Sequence, residues 1–216
     1  MEKKSLILGP SHIMRWIQSI NTAIIPSLTN VDFHGRGGAP IWGDFIKNKF
    51  NDFNNYNQII FIVGDFRFGN KVLIDDSEIR NQHGIEKELI SVQNDREMYD
   101  KVVNELLYLS HSRYKSKIKF IFWDLALREH KNRKENKYTT NEEYKHPIWN
   151  LHQIQCQFEN NTIKIDSEMN LDSLYIDGSN HPSFLGYVYL YKLIFGYINS
   201  ISVIDLFPLQ DYLITE

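Results

Sequence analysis

The sequence contains a single cysteine, Cys156, among its 216 residues. One cysteine excludes an internal disulfide and a zinc site built from cysteine, and it is compatible with a reducing compartment. No apolar run approaches the roughly 20 residues that a membrane-spanning helix needs. The apolar residues before Gly9 are also too few for the core of a signal peptide. We therefore expect a cytoplasmic protein with no membrane span.

The chain also lacks a strong excess of charge of either sign. It has 24 Lys and Arg against 27 Asp and Glu, which gives a formal net charge of -3 at pH 7. This balance gives no reason to expect nucleic acid or an acidic membrane surface as a partner. A chain of this length can bury a substantial core within one domain. We predict a single domain over residues 1–216 and leave the oligomeric state open.

Short apolar runs alternate with segments of helical periodicity along the chain. The predicted strands are Leu6–Leu8, Val31–His34, Gln58–Asp65, Lys117–Asp124 and Thr162–Asp166. The predicted helices are one that begins at Ser11, Ile41–Phe50, a short one near Ile85–Ile90, Asn94–Ser112 and Ser183–Asn199, with a loop at Asn51–Asn57. Strands that are apolar throughout are typical of parallel sheets covered on both faces. The pattern predicts an α/β fold with three layers and a mainly parallel central sheet.

A polar stretch interrupts this alternation around residues 125–155. It is strongly polar from Arg128 to Tyr144 and carries charges of both signs. We interpret it as a surface excursion, which forms either a lid over a site or a solvated loop.

Ligands of parallel α/β sheets gather at the carboxyl ends of the strands. Ser11 follows the first predicted strand at that edge, and Gly64, Asp65 and Asp124 lie at the ends of two others. Ser11 also begins a helix, where unpaired N–H groups and the helix dipole favour negative charge. A nucleophile or anion site would be well placed there, and the alternative is that Ser11 only caps the helix.

A second polar segment, from Asp177 to His181, precedes the last predicted helix. Acyl transfer by serine needs a base for the hydroxyl, a group that orients the base, and donors for the oxyanion. His181 and Asp177 are candidates for the first two. The alternative is that His181 and Pro182 only form the turn that leads into the helix.

The motif Gly9-Pro10-Ser11-His12 near one end and the pair Asp177 and His181 near the other make the chain resemble the SGNH (GDSL-like) hydrolase family. The resemblance implies a flavodoxin-like α/β/α fold. It also implies that Ser11 is the nucleophile, His181 the base and Asp177 the orienting carboxylate. The oxyanion hole would then comprise the backbone N–H groups of Ser11 and Gly38, with Asn70 as a further donor.

The chain departs from the family pattern at two points. Phe66 stands where the third family motif has an asparagine that donates to the oxyanion. Either Asn70 reaches back, Arg67 substitutes as a cationic donor, or this donor is absent. Three residues rather than two separate Asp177 from His181, which leaves either a triad or a Ser-His dyad with another orienting group.

The resemblance implies a serine esterase or O-acyltransferase that forms an acyl-enzyme on Ser11. Its substrate would be an O-acyl ester of a carbohydrate or small molecule, with O-acetyl favoured. This chemistry needs no cofactor and no metal. His12, Arg36 and Arg67 are candidate substrate-binding residues, because His12 follows the serine directly and the arginines suit an anionic group.

Other interpretations remain open from the residues alone. The departures from the family pattern are also typical of a catalytically silent SGNH-like domain that binds a glycan or a protein partner. A third interpretation is a nucleotide or phosphate binder, although no glycine-rich loop of recognised spacing is present. Asp65, Asp124 and Asp177 give only a weak signal for magnesium.

Overall fold

The computed structural model describes residues 4–21, 30–37, 44–64, 71–73, 88–90, 92–134, 151–165, 171–176 and 181–196. Helices and strands alternate in this part of the chain, and its main sheet is parallel throughout. The predicted α/β class with a mainly parallel central sheet is therefore confirmed.

The described part of the chain contains six strands, which form two sheets. They are β1 (Ser5–Gly9), β2 (Val31–Gly35), β3 (Gln58–Ile62), β4 (Lys71–Leu73), β5 (Glu88–Ile90) and β6 (Ile118–Ile121). The main sheet has the order β2-β1-β3-β6, and β4 pairs with β5 separately. In the main sheet Ile7 lies opposite Phe33 on one side and Ile60 on the other. All strand pairs are parallel.

The helices lie between these strands and after the last of them. They are α1 (Ser11–Asn21), α2 (Asp44–Lys47), α3 (Val92–His111), α4 (Trp123–Lys134), α5 (Leu151–Gln157) and α6 (Phe184–Phe195). Short 3-10 helices span Phe50–Asn55, Glu159–Asn161 and Asp172–Leu174. Gly196 follows α6 with a φ of 75°, a left-handed conformation that glycine adopts without strain.

The central strands are buried along nearly their whole length. Every residue of β1 is buried, and so is every residue of β3 after Gln58. This two-sided burial explains why both strands are apolar without alternation. The largest fully buried side chains around them include Trp16, Trp123, Phe53, Phe61 and Phe120, each of which contributes roughly 1.5–3 kcal/mol to folding by leaving water.

An aromatic cluster packs the first helix, α1, against the last described helix, α6. The Trp16 ring on α1 lies 5.2 Å from the Tyr187 ring and 4.9 Å from the Tyr191 ring, both on α6. On its other side it lies 5.2 Å from Phe33 of β2. These contacts bring together two segments that are far apart in the sequence.

Two glycines let α1 lie close to the sheet. A Cβ atom at Gly9 would come within 2.9 Å of both Ile13 Cγ1 and the Ile62 carbonyl oxygen, and one at Gly35 within 2.6 Å of the Met14 nitrogen. Any larger residue would push the helix outward. The start of α1 therefore packs closely against the ends of β1 and β2.

Two segments differ from the predictions in the type of structure. The predicted loop at Asn51–Asn57 is largely the 3-10 helix Phe50–Asn55, because Phe53 turns inward and is fully buried. The predicted short helix near Ile85–Ile90 is wrong at residues 88–90. They form β5, whose partner β4 the sequence pattern did not indicate.

Other predicted elements differ in extent. The strand predicted over Lys117–Asp124 ends at Ile121, and α4 begins at Trp123. Thr162 contributes only a single bridge to Phe120. The helix predicted at Ile41–Phe50 is an α-helix only over Asp44–Lys47 in its described part.

The polar excursion predicted around 125–155 begins and ends in helices. Residues 125–134 lie in α4, and residues 151–155 lie in α5. Residues 135–150 lie outside the described part of the chain, so a lid there stays a prediction. None of the described helices combines the length and the apolar content that a bilayer crossing requires.

Candidate active site

Ser11 lies at the carboxyl end of β1 and is the first residue of α1. β1 ends at Gly9, and Pro10 makes the turn between strand and helix. The N–H of Ile13 donates to the Pro10 carbonyl at 3.1 Å, which closes this turn. Because the first N–H groups of a helix have no acceptor within it, the Ser11 backbone lies at the positive end of the helix dipole.

A backbone pairing adjoins His181. Tyr175 and Pro182 form an antiparallel bridge, and the N–H of Ile176 donates to the His181 carbonyl at 3.0 Å. Ser183 then caps α6, its side-chain oxygen accepting a hydrogen bond from a helix N–H. This pairing at His181 and Pro182 and the helix cap at Ser183 hold the backbone of the histidine in place.

The side chains of Ser11 and His181 form a hydrogen bond. His181 Nε2 lies 2.8 Å from Ser11 Oγ, although the two residues are 170 positions apart in the sequence. Both side chains are partly exposed, so a substrate can reach them. With Nε2 unprotonated, the hydroxyl donates to the imidazole, which is the arrangement that activates a serine nucleophile.

A buried histidine and carboxylate lie beside this pair. His12 Nε2 is 2.7 Å from Asp124 Oδ1, and the two side chains are 4% and 5% exposed. Asp124 lies in the first turn of α4, where the helix dipole stabilises its negative charge. With its Nε2 protonated, His12 donates to a carboxylate that is shielded from water.

The two histidine rings connect these pairs. The imidazoles of His12 and His181 stack with their centroids 5.1 Å apart and their planes 27° apart. Asp124, His12, His181 and Ser11 thus form a continuous chain of contacts from the interior to the surface. We refer to these four residues as the site chain.

Two tyrosines support the backbone of the site chain. Tyr187 on α6 donates its hydroxyl hydrogen to the His12 carbonyl at 2.8 Å, and Tyr175 donates to the Trp123 carbonyl at 2.8 Å. Burial raises the pKa of Tyr187. Burial and then the negative charge of Asp124 raise the pKa of Tyr175. Both hydroxyls therefore stay protonated and able to donate across the physiological range.

The structure brings Ser11 and His181 together, as the sequence motifs predict for a nucleophile and its base. Four other predicted site residues lie outside the described part of the chain. They are Asp177 of the triad, Gly38 and Asn70 of the oxyanion hole, and the substrate contact Arg67. Their roles stay predictions. Arg36 is exposed and lies just after β2, and its backbone N–H donates to the Gly9 carbonyl at 3.2 Å.

His12 has a different environment from the one expected of a substrate contact. Its side chain is buried and bonded to Asp124, which favours a supporting role. The sequence singled out Asp124 only as a weak magnesium candidate and missed this pairing. The available signal was its place after a buried strand at the edge that also carries Ser11 and His12. The described part of the chain holds no cluster of three or more His, Cys, Asp or Glu side chains arranged for a metal.

Comparison with known proteins found no family model that matches the chain and no matching curated protein. The resemblance to SGNH hydrolases therefore rests on the motifs of this chain.

Proposed function

We propose that this protein is a serine esterase or O-acyltransferase of the SGNH type, with Ser11 as nucleophile and His181 as general base. The observation that carries the proposal is the 2.8 Å contact between Ser11 Oγ and His181 Nε2. A hydroxyl at the start of a helix and a partly exposed imidazole that faces it are the minimum parts of such a site.

The sheet topology supports this location. The chain runs from β1 to its neighbour β2 and then back to β3 on the other side of β1. The strand order therefore reverses between β1 and β3, and crevices of this kind bind ligands at the carboxyl ends of the strands. Ser11 follows the carboxyl end of β1.

The same topology supports the flavodoxin-like fold that the resemblance implies. A flavodoxin-like sheet has the order 2-1-3-4-5. The order β2-β1-β3-β6 corresponds to its first four positions, with β4 and β5 as a separate pair inserted before the fourth.

The proposed reaction has two steps. In the first, His181 takes the Ser11 proton as Oγ attacks the ester carbonyl, and the imidazolium then returns that proton to the departing alcohol. The acyl group stays on Ser11. In the second step His181 deprotonates water or an acceptor hydroxyl as it attacks the acyl-enzyme, and the imidazolium returns that proton to Ser11 Oγ as the acid or new ester leaves.

The negative charge that forms on the carbonyl oxygen needs donors. The backbone N–H of Ser11, at the positive end of α1, is one such donor. Gly38 and Asn70 are the further donors that the resemblance implies. If the donor missing at Phe66 has no replacement, we expect a rate about a hundredfold to a thousandfold lower, and the reaction would still proceed.

Ester turnover tests the proposal. We expect the protein to hydrolyse p-nitrophenyl acetate, and Ser11→Ala and His181→Ala each to lower kcat by about a thousandfold or more. Ser19→Ala is the matched control, since Ser19 lies on the same helix and its hydroxyl donates to the Arg15 carbonyl of the preceding turn. Turnover that survives Ser11→Ala would contradict the assignment. A folded protein with no turnover would favour a silent domain that binds a glycan or protein.

A further inference from the structure

We propose that His12 and Asp124 are positioning residues that hold the His181 ring in the orientation that accepts the Ser11 proton. This inference rests on the proposed function. The observations are the stack between the two imidazoles and the buried hydrogen bond behind it.

The orientation of a histidine ring needs an external constraint. The torsion that turns an imidazole about its Cβ–Cγ bond has broad energy wells, so the side chain alone does not select one direction for Nε2. The His12 ring covers one face of the His181 ring at a centroid distance of 5.1 Å. A ring stacked on that face restricts rotation and keeps Nε2 directed at Ser11 Oγ.

The stacking surface is itself held firmly. The His12 ring is buried and its Nε2 is bonded to Asp124, while its backbone carbonyl accepts the Tyr187 hydroxyl hydrogen. Asp124 in turn lies in the first turn of α4. Asp124 on α4 thus holds the ring of His12, and Tyr187 on α6 holds its backbone, so the ring that stacks on His181 has little freedom to move.

A second histidine–aspartate pair, whose Asp172 side chain is 48% exposed, provides an internal comparison. His130 Nε2 lies 2.8 Å from Asp172 Oδ1, and the His130 side chain is 11% exposed. This pair joins α4 to the 3-10 helix Asp172–Leu174 and lies outside the site chain. Removal of His130 should lower the stability, as the loss of any buried histidine would, and should leave the chemistry at Ser11 unchanged.

The test measures the second-order rate constant for modification of Ser11 by a fluorophosphonate, well below the unfolding temperature of each variant. We expect His12→Ala and Asp124→Ala each to slow labelling by about tenfold to a hundredfold, the usual cost of a misplaced catalytic group. The double variant should be no slower than either single variant, because both act through the same ring contact. His130→Ala should label at the wild-type rate.

Two conservative variants separate orientation from simple structural support. Asp124→Asn keeps an oxygen that accepts from His12 Nε2, so labelling should stay within about threefold of wild type. His12→Phe combined with Asp124→Asn keeps a ring against His181 without leaving a buried charge unpaired, and it should also label within about threefold. This double variant also replaces His12→Ala as the test if that protein does not fold.

The outcomes distinguish this inference from the proposed function. Folded wild-type protein that does not label at all would overturn the proposed function and this inference with it. Wild-type labelling together with a His12→Ala rate equal to that of His130→Ala would overturn only the positioning role. If the ring-preserving variant were as slow as Asp124→Ala, the stacking contact would not be what orients His181.

Discussion

Ser11 and His181 meet because each lies at a junction between a sheet-like segment and a helix. Ser11 follows β1 and begins α1, and His181 lies beside the bridge between Tyr175 and Pro182 and precedes α6. Both junctions are visible in the sequence, the first as an apolar run followed by Gly9 and Pro10. The meeting of the two side chains was therefore predictable from the motifs, whereas the distance between them was not.

The pairing of His12 with Asp124 was not predictable in the same way. Asp124 was expected at the end of a strand, but it lies in the first turn of α4. Whether its carboxylate turns toward His12 depends on how that helix is rotated against the sheet. Tertiary packing determines this rotation, and the apolar periodicity of one helix does not encode it.

At the scale of single residues, Tyr187→Phe tests the support of the His12 backbone. The change removes the hydroxyl that donates to the His12 carbonyl and keeps the ring against Trp16. We expect a loss of about 1 kcal/mol in the free energy of unfolding, seen as a melting temperature about 2–4 °C lower in a thermal unfolding experiment.

The matched control is Tyr108→Phe, because the Tyr108 side chain on α3 is 56% exposed. Its melting temperature should equal that of the wild type. An equal drop in melting temperature in both variants would show that the buried hydrogen bond to His12 contributes no more to stability than an exposed tyrosine hydroxyl.

At the scale of secondary-structure elements, the prediction succeeded where a segment is long or buried on both sides. β1, β3, α1 and α3 lie close to where the apolar pattern predicted them. The failures are short pieces such as β5, where three residues carry too little periodicity to separate strand from helix.

The close approach of α1 to the sheet gives a prediction for Gly9→Ala. The added Cβ would lie 2.9 Å from the Ile62 carbonyl oxygen, a backbone atom that cannot rotate away. We expect α1 to shift, with a loss of about 1–3 kcal/mol in unfolding free energy and slower fluorophosphonate labelling of Ser11.

Gly37→Ala is the control for this helix contact. Among the described residues its added Cβ would meet only Met14 Sδ, at 3.6 Å, which is an ordinary contact distance. Equal losses of stability in the two variants, measured by denaturant unfolding, would contradict the argument from close approach.

The amino ends of β1 and β2 give a prediction for acid stability. Burial alone would raise the pKa of Asp32, but hydrogen bonds from Lys4 and Tyr56 outweigh it and leave the pKa below its usual value of 3.8. A lowered folded-state pKa means stabilisation that is present at neutral pH and is lost as the pH falls below that value. Asp32→Asn should therefore flatten the fall in melting temperature as the pH drops below about 4.

The comparison needs only thermal unfolding of both proteins across that pH range. Asp52→Asn is a suitable control, since Asp52 pairs with Lys49 on the 3-10 helix with its side chain 49% exposed. If the melting temperature of Asp32→Asn fell with pH as steeply as that of the wild type, this carboxylate would have no role in acid unfolding.

At the scale of the whole molecule, the sequence predicted a parallel α/β sheet but not the order of its strands. Alternation of short apolar runs and helices indicates that strands exist and run parallel, and it says little about which strands are neighbours. The order β2-β1-β3-β6 depends on which face each helix covers. Contacts such as those of Trp16 with Tyr187 and Tyr191 determine that packing.

The same order explains how distant segments build one site. Because β1 lies in the interior of the sheet between β2 and β3, the helix that follows it begins at the middle of the carboxyl edge. α6 then packs against α1 through the aromatic cluster and brings His181 to Ser11. The location of the site thus follows from the topology, whereas its chemistry depends on which side chains the sequence places there.

The most direct test of this account is covalent labelling of the intact protein with a fluorophosphonate, followed by identification of the modified peptide by mass spectrometry. The probe reports an activated serine without any assumption about the acyl group or the acceptor. We predict modification at Ser11 that is lost in Ser11→Ala and in His181→Ala and retained in Ser19→Ala. A folded wild-type protein that stays unmodified, or that is modified equally well without His181, would contradict the claim that these two residues form an acyl-transfer site.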